Sequence, residues 1–311
     1  LIFTPPTKKE NIMSLLKQLG PKTTTLPPRG VIAGVPGIGK TTFVCSSVRP
    51  AVIACETGLV GLEHVPQFEP AGYKDVLAFL DECIGSETVP FETLAVDTLD
   101  ALEAMIYRAV IEEANSPKIK AIEDVGGGYG KGYMRGRELL EGVLQRLDII
   151  NKKHQVAIWI TSHTSVKTSK QPDGLEFNYW GLKGNEKFNN IVLAWADMVL
   201  FANYRMYQSG DKKDKKAIGG DRYLFTEKTP QWEAKNRYGL PPEIPLDWQT
   251  FAKEMAAVHR PTLEERAKSL IAGSVLPNEK RVAMIAEIPT LTPDRLRKMI
   301  AFLQLNQDEL P

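Results

Sequence analysis

Residues 31–43 read VIAGVPGIGKTTF, and this stretch decides the fold. A β-branched apolar run, VIAG, meets a glycine-rich turn and then a helix-compatible stretch, KTTFVCSSV. GVPGIGKT (34–41) fits the pattern G-x-x-x-x-G-K-[ST]. A loop of this kind, between strand and helix, turns successive backbone N–H groups inward on phosphate oxygens. Gly34, Gly37 and Gly39 allow the close approach and the unusual dihedrals that this requires. The helix that follows presents its positive end to the same anion. Lys40 is the residue that reaches the β- and γ-phosphates, and the Thr41 hydroxyl is a Mg²⁺ ligand. The segment Gly34, Val35, Pro36, Gly37, Ile38, Gly39, Lys40, Thr41 and Thr42 is therefore assigned to ATP or GTP.

Outward from this loop, short apolar runs alternate with helical stretches. AVIAC (51–55) is followed by the helical YKDVLAFLDECI, then TLAVD (93–97). RELLEGVLQRLDIINKK places Leu139, Leu140, Val143, Leu144 and Leu147 on one stripe. QVAIWITSH (155–163) and ADMVLFANY (196–204) are further strands, the second preceded by a helix over NNIVLAWA. The alternation predicts an α/β fold with a mainly parallel, twisted sheet covered on both faces. After Arg205 the lysine-rich SGDKKDKKAIGGD, RYLFT (222–226) and the stretch 231–236 read as antiparallel edge strands around an exposed loop. The expected organisation is a lead-in at 1–29, a core at 30–250 and a helical C-terminal tail at 251–311. The first residues, LIFTPPTKKE, lack an initiator Met and the pattern of a secretory signal, so Met13 is the expected start.

Composition narrows the function. The chain of 311 residues is 43% hydrophobic and carries a net charge of +1, so it can bury a core but has no global basic field for nucleic acid. Any such grip must be local. The most apolar stretch, residues 191–202, is interrupted by Asp197, so no membrane partner is expected. Cys45, Cys55 and Cys83 form no CxxC pair and read as buried, reduced thiols of a cytoplasmic protein.

Three further residues stand where chemistry needs them. A P-loop requires a carboxylate at the end of a buried strand to hold the Mg²⁺ shell. Asp97 supplies it, although alone it would read as a strand-end turn cap. Asp100 either assists or caps the next helix. Glu56 ends the second strand, where it can activate the attacking water or lie exposed in a loop. His163 ends QVAIWITSH, as a γ-phosphate sensor or a hydrogen-bonded histidine at the edge of the core.

VIAGVPGIGKTTF, ACETGL, LAVDTLD, GYGKGY, ITSH, ADMVLFANY and WEAKNRYGLP together resemble the phage-encoded RecA-like ATPases grouped among AAA-type ATPases. The resemblance covers about residues 29–250 and implies a RecA-like P-loop core in a bacterial host's cytoplasm. It implies that Glu56 is the catalytic glutamate and that His163, where RecA has glutamine, links the γ-phosphate to a DNA-binding loop. It also implies that Lys235 and Arg237 reach a neighbouring subunit's ATP, in a ring or filament with ATP at the subunit interfaces. The segment 164–188 takes the place of the DNA loop. Its Lys167, Lys170, Lys183 and Lys187, with Tyr179 and Trp180, offer cations for phosphates and rings for bases, or else form a lid packed on the core. The implied activity is ATP hydrolysis, with Mg²⁺, on single-stranded DNA in recombination, annealing or repair. A replicative-helicase-type motor or loader, and a nucleotide-gated protein without DNA, are the alternatives.

Overall fold

The computed structural model describes residues 26–170, 174–209, 216–259, 263–274 and 276–305. They belong to two compact units, one containing Leu26–Val258 and the other His259–Pro311.

In the first unit the strands β1 (Arg29–Gly34), β2 (Pro50–Ala54), β3 (Gln67–Phe68), β4 (Thr93–Asp97), β5 (Ala157–Lys170) and β7 (Met198–Ser209) lie in one sheet. The order is β3-β2-β4-β5-β1-β7, and every neighbour in that run is parallel. Beyond β7 the sheet turns antiparallel with β8 (Lys216–Phe225) and β10 (Glu243–Pro245), while β9 (Lys235–Asn236) pairs with the start of β7, at Met198 and Val199, on the edge away from β1. The sheet is mainly parallel with an antiparallel edge, as the alternation in the sequence predicts. The strand β5 stands between the P-loop strand β1 and the Asp97 strand β4.

Alternation along each strand divides the core in two. Val31, Ala33, Ile53, Leu94, Val96, Ile158 and Ile160 point to one face. There they meet α2 (Tyr73–Gly85), α3 (Leu99–Glu113), α4 (Lys131–His154) and α5 (Glu186–Trp195). Ile32, Val52, Ala95, Trp159 and Leu200 point to the other face, against α1 (Lys40–Cys45) and α6 (Trp248–His259). Trp159 anchors that second layer by edge contacts with Phe43, Trp248 and Phe251 at 5.6–6.0 Å. With both faces buried, the strands read as the near-continuous apolar runs seen in the sequence.

Several boundaries depart from the sequence expectation. Phe251 is 2% exposed and packs in the layer beside Trp159, so α6 belongs to the first unit, which runs on to Val258 and not to 250. Within 231–236 only Lys235 and Asn236 form a strand, and Trp232 makes isolated bridges to Trp180 and Thr229. The segment 164–188 is not a loop. β5 runs on to Lys170, and β6 (Glu176–Leu182) returns antiparallel beside it. Residues 1–25, among them Met13, lie outside the described residues, as does most of the lysine-rich stretch 212–216.

The second unit holds α7 (Leu263–Gly273), α8 (Asn278–Glu287) and α9 (Pro293–Leu305). Ala267, Leu270, Ile271, Ile288, Leu296, Ile300 and Leu303 form its own apolar cluster. No helix among the described residues is long and apolar enough to cross a membrane.

Candidate nucleotide site

The strand β1 ends at Gly34, in register between His163 of β5 and Ala202 of β7. The chain leaves the sheet there through Gly37 and Gly39, whose φ of 75° and 109° lie in the left-handed region that favours glycine. Lys40 opens α1 and is 5% exposed. Its Nζ donates to the carbonyls of Gly34 and Val35, both at 3.2 Å. Burial pushes this ammonium below the usual lysine range, against the pull of Asp97, Glu56 and Asp100. A buried cation folded back on two neutral carbonyls is the partner that a triphosphate would complete.

Asp97, 2% exposed at the end of β4, accepts from the Thr41 hydroxyl at 3.0 Å and from the Thr161 hydroxyl of β5. Thr41 and Asp97 are thus already adjacent, as two residues sharing one Mg²⁺ shell must be. Glu56 follows β2, and its Oε2 accepts from the Thr98 hydroxyl at 3.2 Å. His163 contacts both carboxylate oxygens of Asp100 through Nδ1 at 3.1 Å, and its backbone N–H donates to Oδ1 at 3.2 Å. Lys183 donates to Oδ2 of the same carboxylate at 3.1 Å. Burial alone would raise the Asp100 pKa, but bonds from His163 and Lys183 outweigh it and hold the carboxyl below its usual range. One ligand atom each of Glu56, Asp100 and His163 lies within 4.8 Å of the others.

The structure therefore brings together Lys40, Thr41, Glu56, Asp97 and His163. The segment 97–100, at the junction of β4 and α3, is what gathers all of them but Lys40. Asp97 holds Thr41, Thr98 holds Glu56, and Asp100 holds His163. Thr161 and Arg222 were not singled out in the sequence. Arg222 of β8 donates to the Ile38 carbonyl at 3.1 Å, bringing a cation to the loop from 184 residues away. Only folding brings that pair together, and no local pattern announces it.

Lys235 and Arg237 each already have partners within the chain. Lys235 donates to the carbonyls of Leu193, Ala194 and Ala196 at 2.6–3.1 Å, capping the C-terminal end of α5. Burial and the neighbouring Arg237 lower its pKa. Arg237 reaches Asp197 at 3.3 Å with its side chain 55% exposed.

The DNA candidates are distributed over a hairpin. Val166 faces Trp180 across the β5–β6 ladder, and Lys167 faces Tyr179. Tyr179 and Trp180 consequently point to opposite faces and cannot stack on one strand of bases from the same side. Trp180 lies over Phe201 at 6.5 Å, and Phe201 lies over Trp232 at 5.5 Å. Lys170 pairs with Glu176 at 2.9 Å, Lys183 with Asp100, and Lys187 is exposed near the start of α5.

Residues 26–238 match the family described as AAA domain. Curated proteins return no match. Among solved structures, the RadB recombinase is similar at 14% identity and a TM-score of 0.39, over 77% of this chain and 94% of that one. Matched over more than half its length, with the P-loop and Asp97 inside the matched span, the chain belongs to the AAA domain family and is a nucleotide-binding P-loop ATPase.

Proposed function

We propose that the chain hydrolyses ATP and couples hydrolysis to single-stranded DNA, in phage recombination, annealing or repair in a bacterial host's cytoplasm. The observation that carries the reading is the gathering of Thr41, Glu56 and His163 around the segment 97–100, beside the buried Lys40. Thr41 and Asp97 would hold Mg²⁺, which would neutralise charge on the β- and γ-phosphates. Lys40 leaves its two carbonyls for the phosphates. Glu56, oriented by Thr98, accepts a proton from the attacking water. His163, held through Nδ1, presents its remaining ring nitrogen to the γ-phosphate. Arg237 of a second copy is the cation that completes the site in a ring or filament, while Lys235 supports it by fixing the end of α5.

The hairpin beyond His163 is the DNA element in this reading, with Lys167 and Tyr179 sharing one face. One observation favours the alternative of a nucleotide-gated protein without DNA. Lys170 and Lys183 already have carboxylate partners, which leaves few cations for phosphates. The ATPase rate with and without single-stranded DNA, measured beside the size of the assembly, separates the two. Stimulation that weakens with salt supports DNA coupling. ATP turnover with no DNA binding supports the gated protein. A chain that binds no nucleotide defeats both.

A further inference from the structure

The phosphate loop carries two cations that both rest on neutral acceptors. Lys40 donates to the carbonyls of Gly34 and Val35, and Arg222 of β8 donates through Nη1 to the carbonyl of Ile38. Lys40 is buried, whereas Arg222 is exposed and forms no ion pair among the described residues. A guanidinium carries five N–H donors in a planar fork, and the Ile38 carbonyl occupies only one of them.

Sheet order and pleat bring Arg222 to this place. β8 lies beside β7, which lies beside the loop's own strand β1. Arg222 is in register with Tyr204 of β7, and its carbonyl accepts from the Leu246 N–H at 2.8 Å, just after β10. The backbone of Arg222 is thus held from both edges. The β7–β8 register shifts between Tyr204 and Met206, directly beyond that pair. Such irregularities re-aim a side chain and are frequent beside active sites. Leu224, two residues on, packs in the layer of Phe43 and Trp159, so alternation sends Arg222 to the face that carries α1. There it lies against the loop: a Cβ at Gly39 would fall 3.0 Å from Arg222 Nη1 and 3.7 Å from Leu246 Cδ2.

The two flanks of the loop differ in chemistry. Glu56, Asp97 and His163 stand on one flank, at the ends of β2, β4 and β5. Arg222 reaches the loop from the other flank, beyond β7. A triphosphate whose γ-phosphate meets Glu56 and His163 therefore turns its α-phosphate toward β8.

We propose that Arg222 binds the α-phosphate end of the nucleotide, through the N–H groups that the Ile38 carbonyl leaves over. The inference rests on the reading that places the γ-phosphate at Glu56 and His163. Lys40 gives up its carbonyls for the phosphates. Arg222 keeps its own, because a fork can grip a carbonyl and a phosphate oxygen together. The bond to Ile38 sets the guanidinium before the ligand arrives, which lowers the cost of ordering it. Arg222 accordingly governs affinity for ADP and ATP alike, unlike a group that meets only the γ-phosphate.

The test is equilibrium binding to the intact chain, with Mg²⁺ and three probes: ADP, ATP and inorganic tripolyphosphate. Arg222→Ala should weaken all three by about 10–100-fold, the scale of one charge-assisted contact. Arg222→Gln, which keeps an N–H for Ile38 without the charge, should be as weak as Arg222→Ala. Arg222→Lys should recover part of the affinity. If Arg222→Gln binds as the wild type does, Arg222 only props the loop, and the proposal is overturned. A loss confined to ATP also overturns it, since Arg222 would then act at the γ-phosphate. So does a loss that spares tripolyphosphate, which would place Arg222 at the nucleoside. ADP has no γ-phosphate, so its result stands even where Glu56 and His163 fail in their assigned roles. A further measurement needs no variant: bound ADP should slow the modification of Arg222 by phenylglyoxal, read by mass spectrometry. Unchanged modification with ADP bound would overturn the proposal.

Discussion

The two halves of β5 show how one strand serves two purposes. From Ala157 to His163 it lies between β1 and β4, almost wholly buried, and its Thr161 and His163 side chains bond into the site. Thr161 donates to Asp97, and His163 bonds to Asp100. From Thr164 to Lys170 it pairs with β6; Thr164 is still buried, and from Ser165 on the residues alternate between half-buried and exposed. In the first half a polar group is fixed because burial penalises any unpaired arrangement. Beyond Thr164 water competes for the side chains, and position is set mainly by the ladder and by the Lys183 N–H bond to the His163 carbonyl. The contrast explains why chemistry is concentrated in the first half, while adaptable contact with a partner suits the second.

If the buried half is a preorganised site, its residues should be intolerant of change. The largest effect expected is from Lys40→Ala, which should abolish ATP binding in a direct nucleotide-binding assay. Arg222, the other cation at the loop, is already engaged with the Ile38 carbonyl. Retained tight binding would show that the triphosphate sits elsewhere. Next is Glu56→Gln, which keeps the Thr98 bond available and removes the base. ATP should stay bound while turnover falls by about two to four orders of magnitude. An unchanged single-turnover rate would make Glu56 an ordinary loop acid.

The same contrast governs what the sequence could reveal. Strands buried on both faces announce themselves as apolar runs, so β1, β4 and the first half of β5 were legible, and Glu56, Asp97 and His163 stand where those runs end. The second half of β5, TSVKTSK, has a strand's alternation but little apolar content, and it read as a loop. Its signal was the Asp173–Gly174 pair, a turn sequence between two such stretches. The α3 carboxylates were less accessible to reading. Asp100 and Glu103 look like ordinary first-turn and second-turn acids, and their distant partners come from His163 of β5 and from Lys183 and Asn185 just after β6. The same holds for Lys235, whose three carbonyl partners come from the end of α5, about 40 residues earlier in the chain.

That capping role predicts a smaller effect, and one of a different kind. Lys235→Ala should lower the stability of the folded unit by about 1.5–3 kcal/mol, the scale for hydrogen bonds to a charged group. Arg237→Ala removes only a half-exposed ion pair and should change stability by about 0–1 kcal/mol. Urea denaturation of the two variants side by side makes the comparison. In hydrolysis the order should reverse, with the Arg237 variant the more impaired per folded molecule. Equal stability of the two, with Lys235→Ala the more inactive, would return Lys235 to the role of a cation for the neighbour's ATP.

The smallest effect concerns the exposed half, where Tyr179 and Trp180 are adjacent in sequence but opposite in direction. Cross-strand register puts Tyr179 with Lys167 and Trp180 with Val166. Trp180 is further committed: its backbone bonds to Gln231 and Glu233, and its ring lies over Phe201. A base approaching the Trp180 face would have to compete with these existing contacts, whereas Tyr179 offers a ring beside a lysine. Tyr179→Ala should therefore weaken single-stranded DNA binding by about 1–3 kcal/mol, the range for one stacked base, and leave thermal stability nearly unchanged. Trp180→Ala should do the opposite, lowering the melting temperature with a lesser direct effect on affinity. Titrations with a labelled oligonucleotide at fixed salt, beside melting curves, measure both. If Trp180→Ala loses the affinity while melting as the wild type does, the bases bind on the Phe201 side of the hairpin. The cations that follow the phosphates must then be sought on β7 and β8, since Lys167 points the other way.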